Sequence, residues 1–129
     1  MNKKYALLIL IIGLSITFGC ATLGQVKITE MKDSITTNKM PSNLIEFASK
    51  IGVELGYSVT KVNKSENWVE LSKSSSNLLT GITKVSIITI SSTRSPDIID
   101  FVVGVYGGEN IARQVLDTFK NKFNEKLQK

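Results

Sequence analysis

Apolar residues along this chain recur with two different periods, and the switches between them mark out the elements. Leu44, Phe47, Ala48, Ile51 and Leu55 are spaced by three and four, the stripe of an amphipathic helix. Pro41-Ser42-Asn43, with Glu46 three residues after Asn43, predicts its start as a capping box. Gly56 predicts its stop, and Gly52 inside it suits close approach to a sheet. The period then drops to two. Tyr57-Ser58-Val59-Thr60 and Trp68-Val69-Glu70-Leu71 alternate on either side of the turn sequence Asn63-Lys64-Ser65-Glu66-Asn67, which predicts a hairpin. Lys73-Ser74-Ser75-Ser76-Asn77 reads as a loop. A β-branched run at 84–91 and an alternating run at 98–106, with Ile99, Phe101, Val103 and Val105 on one face, predict two more strands. Gly107-Gly108 ends the last one. From Glu109 onward, Ile111, Val115, Leu116, Phe119, Phe123 and Leu127 predict a second helix, with lysines near its end to complement the dipole.

Upstream of residue 42 the pattern is weaker. Residues 20–42 read as a polar tether, with a possible short strand at 25–31 where Val26 and Ile28 alternate with Lys27 and Thr29. The element order is therefore (β)αββββα. Short turns favour antiparallel neighbours, and two amphipathic helices need a surface to cover. These constraints predict an α+β fold: a two-layer domain over 43–129, with a four- or five-stranded antiparallel sheet and two helices on one face. In topology this order resembles the helix-grip and TATA-binding-protein-like folds, and the small lipoprotein subunits of outer-membrane assembly machineries. No residue motif accompanies that resemblance.

The first 20 residues are of another kind. Lys3 and Lys4 precede an apolar run from Ala6 to Ile16, and Thr17-Phe18-Gly19 leads to Cys20, the only cysteine. A charged n-region, a short apolar h-region and a small residue before the cut form a secretory signal. The competing reading is a retained anchor. Tyr5 to Phe18 falls short of the roughly 20 apolar residues that span a bilayer core. Ile16-Thr17-Phe18-Gly19-Cys20 resembles the lipobox of bacterial lipoprotein precursors, departing from its commonest form at Thr17 and Phe18. The resemblance implies a cleaved signal peptide at 1–19, cleavage between Gly19 and Cys20, and diacylglycerol and palmitate-type acyl chains on Cys20. Two or three chains anchor stably where one does not. Ala21, in place of a retaining aspartate, implies the outer membrane facing the periplasm in a two-membrane bacterium.

Composition narrows the chemistry. The chain has 16 basic and 11 acidic side chains, a formal charge of +5. The excess is almost all lysine, with arginine only at Arg94 and Arg113, so clusters suited to phosphate forks are missing and nucleic acid is not an expected partner. There is no histidine, the commonest general base and neutral metal ligand. Glu66 and Glu70 are the nearest carboxylates to a pair in the predicted sheet. Ser58-Val59-Thr60-Lys61 spells S-x-x-K without the partner motifs S-D-N and K-T-G, and falls in a predicted strand. Gly104-Val105-Tyr106-Gly107-Gly108 lacks the full phosphate-binding fingerprint and is followed by Glu109. Trp68 is a candidate contact residue or a packing residue of its strand.

No catalytic residue, metal or cofactor is expected from this set. The expected function is a lipid-anchored envelope protein whose domain binds an envelope protein or polymer, at a sheet edge for example. The alternative is a carrier or sensor of a small apolar ligand, held in a gap lined by Phe101, Val103, Phe119 and Phe123. A hydrolase would require a cleft with convergent polar groups.

Overall fold

The computed structural model describes residues 28–76, 79, 81 and 83–129. The signal segment, Gly19, Cys20 and the chain up to residue 27 lie outside these. In order, the elements are β1 (Ile28–Thr36), α1 (Leu44–Glu54), β2 (Ser58–Asn63), β3 (Trp68–Ser76), β4 (Thr83–Ser91), β5 (Ile98–Tyr106) and α2 (Glu109–Leu127). The five strands form one antiparallel sheet in the order β1-β5-β4-β3-β2. Both helices pack on one face of it, so the fold is α+β with two layers.

The sheet order follows from chain geometry. β2 to β5 form a meander in which each strand pairs with the next, as short turns require. The fifth place is then open only at an edge, and β1 takes it beside β5. The chain must next cross from the β1 edge to the β2 edge, four strand spacings or about 19 Å. α1, with 11 residues and so roughly 16 Å of rise, lies over the β4, β3 and β2 side of the sheet and delivers the chain to that edge. It starts as its sequence predicts: the Asn43 side-chain oxygen accepts the Glu46 backbone N–H at 3.2 Å, and it ends before Gly56, whose φ is +81°.

The core lies between the helices and the inner sheet face. Phe123 of α2 meets Phe101 of β5 edge-to-face at 5.0 Å and Phe47 of α1 at 5.3 Å. Phe119 meets Tyr57 in the same manner at 4.9 Å. Such perpendicular ring pairs set the negative face of one ring against the positive edge of the other. Ala48 and Ala112, both fully buried, let the helix backbones come close to the sheet.

Three expectations need correction. The possible short strand at 25–31, whose residues 25–27 lie outside the described ones, runs on further toward the C-terminus. It is a nine-residue strand, Ile28–Thr36, paired along its whole length with β5. The folded unit thus includes residues 28–36, upstream of residue 43, and 28–36 is not tether. Its sequence disguises it because only Met31 and Ile35 of its inward positions are large and apolar. Asp33, also inward, is neutralised by Lys120 of α2. Second, Lys73-Ser74-Ser75-Ser76 is not a loop. β3 continues to Ser76, opposite Thr83, because β4 supplies ladder partners that composition does not reveal. Third, Ile111 is not in the buried stripe of α2; Ala112, Leu116, Phe119 and Phe123 are. The first turn of α2 overhangs the end of the sheet, where Ile111 lies against Gly107.

Candidate interaction surface

Among the described residues, no helix covers the second sheet face. Side chains alternate between faces along a strand, so the registers define what this face presents. One row across β3, β4, β5 and β1 is Trp68, Ser91, Asp100 and Ser34. The next is Glu70, Thr89, Val102 and Lys32. A third is Ser72, Ile87, Gly104 and Glu30. Its centre is therefore hydroxyl and aliphatic: Thr89, Val102 and Ile87, the last 37% exposed. Gly104 makes a shallow step beside Ile87.

Charges sit around this centre and are paired with each other. Arg94 reaches Asp100 at 2.8 Å, and Lys32 reaches Glu30 at 3.2 Å. Glu70 accepts the Thr60 hydroxyl at 2.9 Å and lies 3.9 Å from Lys61. Both partners reach one carboxylate because β2 is bulged between Val59 and Lys61, which sets two of its residues against Glu70. Trp68 is half-buried, and its indole N–H donates to Glu66 at 3.0 Å. Asn63 donates to the same carboxylate oxygen at 3.2 Å. The indole is thus held at one corner of the face by the hairpin turn beneath it.

The other sequence candidates are dispersed. Glu66 and Glu70 engage different partners and do not form a pair. Ser58 stands opposite Ser72 on the exposed edge strand β2, while Lys61 turns to Glu70. Gly107, at φ +153°, makes the turn out of β5. Gly108 precedes α2, and Glu109 at its start pairs with Arg113 at 2.9 Å. Phe101, Val103, Phe119 and Phe123, expected to line a gap, are buried against one another and their neighbours. Among the described residues, no three of His, Cys, Asp and Glu converge as metal ligands would. No helix among them is long and apolar enough to cross a membrane.

Electrostatics follow the same division between layers. The Asp33 carboxyl is held below its usual value by the hydrogen bond from Lys120, aided by the Ser34 backbone N–H. Glu54 is lowered in the same way by the hydrogen bond from Lys126, at 2.9 Å. Burial pushes the Tyr57 phenol up, although its hydroxyl is 2.9 Å from that of Ser86. Asp33 and Lys120 tie β1 to α2, Glu54 and Lys126 tie α1 to α2, and Tyr57 and Ser86 tie the end of the α1–β2 connection to β4. Ile87 and Val102 were not singled out from the sequence. Their signal was present, in apolar residues on the second face of two alternating strands.

No family model matches the chain, and no curated protein matches it. Among solved structures, the chain is similar to a DUF4468 family protein from Bacteroides ovatus, with a TM-score of 0.37 and 11% identity. The match covers 57% of this chain and 51% of that one, so the aligned part spans about half the length of that structure.

Proposed function

We propose that this protein is held at a cell-envelope membrane by lipid on Cys20, and that its domain is a non-catalytic binding module for an envelope protein or polymer. The observation that carries the binding role is the uncovered sheet face, where Trp68, Thr89, Ile87 and Val102 occupy adjacent rows of the central strands. An antiparallel sheet with one solvated face usually alternates cleanly between apolar and polar. Here the outer positions of β4 and β5 depart from that, and apolar surface framed by paired charges suits an interface core with a polar rim. The address rests on the signal and lipobox-like residues that end at Cys20. In a two-membrane bacterium the expected site is the outer membrane, facing the periplasm. The ring packing around Phe101 and Phe123 weighs against an apolar ligand held between the layers.

Two measurements test this. Metabolic labelling with a palmitate analogue marks the wild type and not Cys20→Ser; equal labelling in both refutes the anchor. Cross-linking from Trp68 or Ile87 in the native envelope captures a partner, and Ile87→Asp abolishes the adduct while the domain stays folded at the assay temperature by thermal unfolding. A partner retained by Ile87→Asp would move the binding site elsewhere.

A further inference from the structure

The two ends of the sheet differ in chemistry. At one end are the turns 64–67 and 92–97, which are polar apart from Pro96. At the other end, four large apolar side chains reach solvent. Ile28 opens β1 and is 56% exposed; its register partner Tyr106 closes β5. Ile111, 44% exposed, overhangs from the first turn of α2. Leu79, in the turn of the β3–β4 hairpin, is 96% exposed. That hairpin runs past β5, since β4 pairs with β5 only from Ser86 onward but with β3 from Thr83. Leu79 therefore stands furthest out. Exposed Lys84 and Lys73 flank the group.

The chain outside the described residues says what this end faces. Ile28 is eight residues from Cys20, a span of at most about 28 Å even when fully extended. β1 alone is about 30 Å long. If Cys20 is at the membrane, the Ile28 end of the domain is leashed to it and the polar end is not. So short a link holds the apolar end at high effective concentration against the bilayer. Aliphatic side chains, a tyrosine and lysines together suit the boundary between acyl chains and anionic headgroups.

We infer that the end of the sheet bearing Ile28, Leu79, Tyr106 and Ile111 rests on the surface of the same bilayer that anchors the chain, a proposal that stands on the lipidation of Cys20. Docking there leaves the uncovered sheet face standing up from the membrane, open to a partner from the side.

The test uses the full lipidated chain in vesicles of phosphatidylcholine and phosphatidylglycerol. An environment-sensitive fluorophore is placed on Leu79→Cys or, at the opposite end, on Lys64→Cys; the thioether at Cys20 leaves each the only reactive thiol. Nitroxide-bearing lipids should quench position 79 several-fold more than position 64, with a blue shift at 79 alone. Equal, weak quenching in protein that floats with the vesicles and carries lipid on Cys20 by mass overturns the docking and leaves the anchor intact. A label at 79 shielded from aqueous iodide yet untouched by nitroxide lipid shows a second protein surface there, and also overturns it. Protein without lipid on Cys20 defeats both claims.

Discussion

A methyl group on Gly52 would lie 2.6 Å from Cδ1 of Leu71, with Cδ2 and Cγ at 3.1 and 3.3 Å. Helix α1 rests on strand β3 at this point with only a hydrogen between them. Leu71 is fully buried and cannot swing away without displacing its neighbours. Gly52→Ala gains about 1 kcal/mol of helix propensity but overpacks the contact by roughly 1–3 kcal/mol. The expected outcome is a net loss of stability in denaturant unfolding. Adding Leu71→Val should recover part of it, because residues in contact are not additive. A more stable Gly52→Ala would mean that the helix can lift off the sheet without cost.

Phe119 is buried against the Tyr57 ring and belongs to the same helix stripe as Phe123. Phe119→Ala should cost roughly 3–5 kcal/mol in equilibrium unfolding. Ile111→Ala, on the overhanging turn, should change stability by less than about 0.5 kcal/mol. Equal effects at the two positions would contradict the rotation of the stripe from Ile111 to Ala112.

The pairing of Asp33 with Lys120 makes stability depend on acid. The folded carboxyl titrates below its ordinary value of 3.8. Its contribution is therefore complete above that pH and lost as pH falls through the lowered folded value. Wild type should exceed Asp33→Asn in stability at neutral pH, and the two should converge in strong acid. The margin is small and shrinks with salt, since both side chains are partly exposed. A margin that persists unchanged into strong acid would show that the charge is not its source.

Strand β1 belongs to the folded unit. Limited proteolysis should cut upstream of Ile28 before it cuts within 28–36, and Ile35→Ala should cost about 2–5 kcal/mol. Cleavage within 28–36 ahead of any other site would return this segment to the tether.

Local pattern alone determined the element order and the chain segments that form β4, β5 and both helices. There the burial of one face imposes a period that side chains must obey: Ile88 and Ile90, Phe101 and Val103, Phe119 and Phe123 all point to the core. The cap at Asn43 and the stop at Gly56 were equally legible, because backbone groups at helix ends are satisfied by residues a few positions away. Tertiary structure decided the rest. β1 holds its place through ladder bonds with β5, some 70 residues on, and backbone bonds leave no mark on side-chain sequence. Asp33 reads as a solvated residue until Lys120 is brought to it. The end of β3 around Ser74 reads as loop for the same reason. Most of all, an alternating strand has two faces and the sequence does not say which is covered. Only the placement of both helices on one side left Trp68, Ile87 and Val102 uncovered and put Ile28, Leu79, Tyr106 and Ile111 at a single end.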